Sequence, residues 1–366
     1  MMALPPDAQR YLVRMRSLGS PVELVDSIMA EVEATPQVRP GPDLRAISGF
    51  ALAAAAALLA FAVLLRLGAP DIGPAPTPVP LDQLPSAGRV QARIPVDASD
   101  TPVAFGHGFL WLTNAATGEL VRMDPANGSI ASPLAVTEAG MAIPIALTSS
   151  AVWVVDGRDG TLVELDPATL EERRRFPVGG NVSAIAADGS ALWLLDHEAG
   201  ELIRFDLAAR GVGLTLPIAG SALLVHGGSV WVGDDAGALV GIDPTSGVEK
   251  ARVDLGMAIT RLVADGDSIL VAGNVGDPVI RVDIGSERVL ARGVSATAVA
   301  AQDGRVWAVL DSGHLVRVDP ATLQPVAASD IALDPAGTLA IGGGSLWTTG
   351  VDTAGDVYLV QVVPEP

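Results

Sequence analysis

One phrase recurs along this chain, and its clearest copy is residues 151–167, AVWVVDGRDGTLVELDP. Further copies end at Pro125, Leu207, Pro244, Ile284, Pro320 and Gln361. Six carry a Trp at one fixed place, and Leu270 stands there in the fifth. The marks therefore fall at Trp111, Trp153, Trp193, Trp231, Leu270, Trp307 and Trp347, at intervals of 42, 40, 38, 39, 37 and 40 residues. A period near forty constrains the fold more than any other feature, because each repeat must bury its apolar face against the next. Four short strands fit each interval. In the second copy they are 143–147, 151–155, 161–165 and 172–178, separated by Gly, Asp, Ser or Pro turns. A four-stranded unit of this length is the blade of a β-propeller, and the spacing predicts an all-β, seven-bladed ring. The seventh copy offers only three strands, 338–341, 345–348 and 357–363. The orphan stretch 89–96, RVQARIPV, resembles the fourth strands ERRRFPV and EKARVDL. It is expected to close the last blade, so that no edge is left unpaired.

The chain ahead of the repeat reads differently. Residues 7–18 and 20–35 carry apolar side chains at helical spacing, the second opening on Ser20-Pro21-Val22-Glu23, a capping box with Pro at the first helical position. They read as either a partner-binding hairpin or a loosely ordered tail. Residues 46–65 form an uncharged run of twenty between Arg45 and Arg66, which as a helix is about 30 Å long, the thickness of a bilayer core. A cleaved signal peptide is the other reading, but the polar leader is too long for one. Five Arg precede the run and one lies close behind it, which predicts a single-pass cell-membrane protein with residues 1–45 cytoplasmic and the remainder extracytoplasmic. Six prolines in 68–88 predict an extended spacer. The expected organisation is thus a cytoplasmic helical segment (1–45), a transmembrane helix (46–67), a linker (68–88) and a propeller (89–366).

Cysteine is absent, so disulfides and thiolate chemistry are excluded. Residues 1–67 balance six Arg against six acids, and the whole net charge of −19 lies beyond them. So acidic a body repels phosphate backbones, and nucleic acid is not an expected partner.

Features repeated in most blades make the fold, whereas a site breaks the symmetry. The Trp column is accordingly expected to pack each blade against the next. The pairs Arg122/Asp124, Arg204/Asp206, Arg281/Asp283 and Arg317/Asp319 sit two apart on a strand, where each can meet at one edge. The loops between second and third strands are acidic and open on one face: Asp156 and Asp159, Asp196 with His197 and Glu198, Asp234 and Asp235, Asp277, Asp311, Asp352 and Asp356. They read as turn-forming residues on a solvated rim. Their functional reading is a cation-attracting mouth, with Ca²⁺ or Mg²⁺ as the sole candidate cofactor. Of His107, His197, His226 and His314, only His197 lies beside that mouth.

The signature G-x-x-x-W-V-x-(D/N)…L-x-R-(V/F/M)-D-P over residues 89–363 resembles bacterial seven-bladed propellers of the NHL, PQQ-repeat and virginiamycin B lyase type. The layout of short cytoplasmic segment, span and outer propeller resembles a membrane-anchored anti-sigma-type regulator, although residues 1–45 lack the His and Cys that bind zinc in many of those. The lyase resemblance implies a Trp-Phe-Thr-Glu stretch; the nearest one here, Leu110-Trp111-Leu112-Thr113-Asn114, lacks the Phe and the Glu. Two functions are therefore expected. The first is a binding, scaffolding or sensing module that presents an acidic face to a protein or cationic ligand, with residues 1–45 meeting a cytoplasmic or membrane partner. The second is a lyase or lactone hydrolase with a divalent cation at the ring centre.

Overall fold

The computed structural model describes residues 79–96, 103–140, 143–234, 236–332, 334–351, 354 and 356–365. The predicted N-terminal helices, the span 46–65 and most of the spacer lie outside the described residues. No helix among the described residues is long and apolar enough to cross a membrane. Residues 77–366 form a compact unit built from antiparallel strands.

The strands follow the repeat. Strand β1 (Gly88–Pro95) comes first. A sheet of β2 (Val103–Gly106), β3 (Phe109–Asn114), β4 (Glu119–Met123) and β5 (Leu134–Ala135) follows. The next comprises β6 (Ile145–Leu147), β7 (Val152–Asp156), β8 (Thr161–Leu165) and β9 (Glu172–Pro177). The third holds β10 (Val182–Ala187), β11 (Ala191–Asp196), β12 (Glu201–Asp206) and β13 (Gly211–Leu216). The fourth holds β14 (Ala222–His226), β15 (Ser229–Gly233), β16 (Ala238–Ile242) and β17 (Glu249–Asp254). A seven-stranded sheet then takes in β18 (Arg261–Asp265), β19 (Ser268–Ala272), β20 (Pro278–Asp283), β21 (Arg288–Gln302), β22 (Arg305–Leu310), β23 (His314–Val318) and β24 (Pro325–Ala332). The last sheet is β25 (Asp334–Gly342), β26 (Ser345–Val351) and β27 (Val357–Pro364), closed by β1.

Strand β21 is long because it serves two neighbours. Its residues up to Ser295 pair with β20, and those from Ala296 onward pair with β22. The fifth and sixth repeats, expected as separate sheets, are joined by this one strand. The innermost strands touch in cyclic order: β2 against β6, then β10, β14, β18, β21 and β25, and β25 returns to β2. The expected closure is present, since β1 lies antiparallel on β27 from Gly88↔Pro364 to Pro95↔Tyr358.

Burial follows position in the ring. Strands β7, β11, β15 and β19 are buried at every residue, because both faces are covered by adjacent sheets, and they read as continuous apolar runs instead of alternating. Outer strands such as β9 are largely exposed and carry charge, which guards an edge against pairing with other chains.

The Trp column performs the expected task. Trp111 packs with Val152, Val154, Val163 and Leu165 of the following sheet. Trp153 packs with Leu192, Leu194, Ile203 and Phe205, and Trp193 with Val230, Val232 and Ile242. Trp231 meets Ile269, Val271 and Ile280; Leu270, standing in for the missing indole, meets Val306, Ala308 and Val316. Trp307 reaches Leu346 and Val360, and Trp347 completes the circuit on Leu110, Leu112 and Met123.

The Asp of each D-P turn caps the loop between third and outer strands. Asp166 Oδ1 accepts from the N–H groups of Ala168 and Thr169, at 2.8 and 3.0 Å, and Asp243 Oδ1 from those of Thr245 and Ser246, at 3.0 and 2.8 Å. Arg173 with those N–H groups holds the Asp166 carboxyl at about 2, and the Ser246 and Thr245 N–H groups hold that of Asp243 at about 2. The four-residue turn leaves its last residue in the left-handed region, glycine at Gly128 and Gly247 but Leu170 (φ 65°) and Leu323 (φ 55°) elsewhere.

Two expectations need correction. The Arg/Asp pairs do not all meet within their own blade. Arg204 reaches Asp206 at 3.4 Å. Arg122 instead donates to the Pro167 carbonyl at 2.8 Å and Arg281 to that of Pro320 at 2.6 Å, each in the D-P turn of the following repeat. The guanidinium is long enough to leave its own strand, and Arg281 also pairs with Asp265 of β18 at 3.0 Å. The spacer also ends before residue 88. Leu81–Gln83 forms a 3₁₀ turn, Ser86 makes a parallel bridge to Ala328, and Ala87 is buried. Once the chain emerges beside β24, its backbone groups pair with the Ala328 N–H and C=O, and so 80–87 packs on the domain.

Candidate functional site

The acidic loops lie together with the inter-sheet connections, as expected of one propeller face. Val136 and Thr137 donate to Gly118 O, Val178 and Gly179 to Gly160 O, and Leu255 to Gly237 O. The close approach at Gly118 (φ 74°) leaves no room for a side chain, because an added Cβ would lie 2.2 Å from Thr137 O.

The acids on this face divide by burial. Asp156 is wholly buried, with Oδ2 held by Arg175 at 3.0 Å and Arg158 at 3.1 Å. Burial alone would raise its carboxyl, but Arg175, the Thr137 hydroxyl and the Arg158 N–H outweigh burial and hold it below the ordinary value. Asp196 is buried too, accepting from Asn181 N at 2.9 Å through Oδ2 and from Ala199 N at 2.9 Å through Oδ1. Asp311 Oδ2 accepts from Ser295 Oγ at 2.7 Å and Gly276 N at 2.9 Å. Its Oδ1 is buried with no partner among the described residues. Thr137, Asn181 and Ser295 all belong to the chain arriving from the preceding repeat, so these carboxylates clasp neighbouring sheets. Asp234 Oδ1 caps its own turn through Ala238 N at 2.6 Å, and Asp277 Oδ2 accepts from Asn274 N at 2.9 Å.

The remaining candidates face solvent. Asp159, His197, Glu198 and Asp356 are exposed, with His197 Nδ1 3.0 Å from Gly220 O. Asp235 and Asp352 lie outside the described residues. The sequence thus grouped two kinds of acid that the structure separates, buried clasps and exposed rim.

Among the described residues, the buried carboxylates of this face are not free to serve a Ca²⁺ or Mg²⁺. A hard cation needs six or more oxygens free to converge, whereas Asp156 and Asp196 are committed to arginines and backbone N–H. Among the described residues no group of three or more His, Asp or Glu is arranged to hold a metal ion. Near the ring centre, a cavity of about 290 Å³ is lined by Val263, residues 299–302 and residues 339–341, of which only Gln302 is polar. That stretch of wall has no ionisable ligand to offer.

The opposite face, where first and second strands turn, was not singled out from the sequence. There His107 Nε2 lies 2.8 Å from Thr148 O and His226 Nε2 2.7 Å from Gly266 O, each tying its turn to the next sheet's. Between the turns that open β22 and β26 lies a cavity of about 510 Å³.

No protein-family model and no curated protein matches this chain. Among many solved chains that it does match, the crystal structure of BamB from Moraxella catarrhalis is similar with a TM-score of 0.53 at 14% identity. The match covers 74% of this chain and 96% of that one. The chain carries a β-propeller. At that identity the likeness is one of fold, since propellers host unrelated functions on one scaffold.

Proposed function

We propose that this protein is a membrane-anchored, extracytoplasmic propeller of seven blades that binds a protein or cationic ligand on its acidic face. The observation carrying this reading is the split among the acids. The buried carboxylates lock adjacent sheets, which makes the face rigid, while Asp159, Glu198 and Asp356 project from it as unburied negative charge. Buried groups held by arginines and backbone N–H are poorly placed to exchange protons with a substrate. A fixed array of exposed charge suits recognition and steering. The blade count treats the seven-stranded sheet as two blades sharing β21, in keeping with seven Trp-or-Leu positions. The anchor rests on residues 46–65 and the arginine asymmetry around them.

The test is binding of a short oligo-arginine peptide to the full chain, read by fluorescence anisotropy. Binding is expected at about 20 mM salt and loss of it near 0.5 M, where the Debye length falls to about 4 Å. The double variant Asp159→Asn/Glu198→Gln should bind more weakly without a change in melting temperature, both side chains being exposed. No binding at low salt, or stoichiometric uptake of a divalent cation in a metal titration, would sink this reading in favour of an enzyme. For the anchor, protease added to intact spheroplasts is expected to remove residues 68–366 and spare 1–45; a mature chain starting near Gly68 contradicts it.

A further inference from the structure

The face opposite the acidic rim breaks the repeat symmetry at one place. In four of the repeats the turn between first and second strands has two consecutive residues with positive φ: His107 and Gly108 (56° and 83°), Gly227 and Gly228 (58° and 71°), Asp303 and Gly304 (52° and 72°), and Gly343 and Gly344 (60° and 75°). In three of these the Trp indole N–H donates to the carbonyl that opens the turn. Trp111 reaches Gly106 O at 3.0 Å, Trp231 reaches His226 O at 3.1 Å, and Trp347 reaches Gly342 O at 3.1 Å. Trp153 and Trp193, behind other turns, reach Thr148 Oγ1 at 3.3 Å and Asp188 Oδ2 at 3.0 Å. Trp307 is the exception. It is 2% exposed, yet its N–H has no acceptor among the described residues, and the side chain lines the 510 Å³ cavity. The nitrogen is not among the fully buried atoms left without a partner, so it opens onto the cavity, where a bound acceptor can take the place of water.

A second asymmetry coincides with the first. Two residues before the marker, the repeats carry Phe109, Ala151, Ala191, Ser229, Ser268 and Ser345, but the sixth carries Arg305. On a strand, positions two apart share a face, so Arg305 stands on the same side of β22 as Trp307, and both line the cavity. Asp303 lines it as well, and Phe105, Ile341 and Leu346 supply an apolar wall. The volume lies in the range of small-molecule sites.

From these groups we infer that the cavity binds a free α-amino acid with an apolar side chain. Its carboxylate accepts from the Trp307 N–H and pairs with Arg305, its ammonium faces Asp303, and its side chain lies against Phe105, Ile341 and Leu346. A simple organic anion would gain Arg305 but be repelled by Asp303. A zwitterion is complementary to both. The inference is independent of the acidic-face reading, because the two sites lie on opposite faces.

The experiment titrates L-leucine and L-phenylalanine into the full chain, read by calorimetry and by intrinsic fluorescence. Saturable binding is expected below about 10 mM, the weakest affinity that a fitting ligand of this size gives. Arg305→Gln and Trp307→Phe should each weaken it about tenfold, the usual scale for losing a hydrogen bond to a charged group. The fluorescence change should vanish in Trp307→Phe. 4-Methylpentanoate, lacking the ammonium, and leucinamide, lacking the carboxylate, should bind at least about tenfold more weakly than leucine. Asp159→Asn, on the other face, should bind like the parent. Arg305 is exposed, so its variant keeps the fold, and a melting curve verifies this. Absence of saturable binding for both amino acids overturns the inference, as does an Arg305→Gln chain that binds like the parent. So does 4-methylpentanoate binding as tightly as leucine.

Discussion

A chain lacking residues 88–96 is expected to melt well below the parent and to aggregate on heating. Strand β1 pairs with β27 along its length, and Ala87, immediately before it, is buried against the neighbouring sheet. Removing β1 frees the edge of β27 and releases the latch between the domain's two ends. At about 1 kcal/mol net per hydrogen bond the loss is on the order of 5 kcal/mol. For a domain of this size each kcal/mol shifts Tm by roughly 2–3 °C, which gives a fall of about 10–15 °C. The freed edge is a template for pairing with other chains, hence the aggregation. Two further deletions grade the effect. Loss of 80–87 removes the Ser86–Ala328 bridge and the apolar contacts of Leu81 and Ala87 but leaves the β1–β27 ladder, and should lower Tm by a smaller step. Loss of 68–78 should leave the propeller transition where it was. If the chain without 88–96 melts like the parent, closure through this strand contributes nothing.

The Trp column carries the second large effect. Trp193 is fully buried between its own sheet and the next, against Val230, Val232 and Ile242, and donates to Asp188 Oδ2. Trp193→Ala is expected to cost about 4 kcal/mol, because it opens a cavity between sheets and withdraws the donor from Asp188. Burial would raise the Asp188 carboxyl, and the Trp193 and Ser190 donors outweigh burial to keep it low. Trp193→Phe retains most of the apolar contact and should cost only about 1–2 kcal/mol. Denaturant unfolding of the two variants beside the parent measures both. An alanine variant within about 1 kcal/mol of the parent would mean that the seam is held by something other than this column.

Much of the architecture was legible in the chain because its determinants are local or repeated. Turn residues and short apolar runs delimit strands, and here the runs matched to within a few residues: 161–165 as predicted, and 172–178 against Glu172–Pro177. A contact that recurs at a fixed period must be made by neighbours to neighbours, so the Trp column could be assigned to the seams, and Leu270 with it. The orphan strand at 89–96 was identified by its likeness to other outer strands, and its partner by the vacancy in the seventh repeat. Residues 46–65 were read by hydropathy and flanking charge alone.

What the chain by itself could not disclose are relations between side chains that are distant in sequence. Asp156 and Asp159 look alike on paper. Only the fold brings Arg175 from the outer strand of the same sheet and Thr137 from the preceding repeat to the first, and leaves the second in solvent. The docking of 80–87 depends on the open backbone edge of β24, which composition cannot reveal, and the fusion of two repeats through β21 depends on the absence of a turn within 288–302. The same holds for Arg305 and Trp307. Their departure from the column is visible in an aligned sequence, yet it acquires meaning only when the sibling indoles are seen to donate to a carbonyl that Trp307 does not reach. A hydrogen bond is a matter of ångströms and angles between groups from separate strands, and those are decided by the packing of the ring.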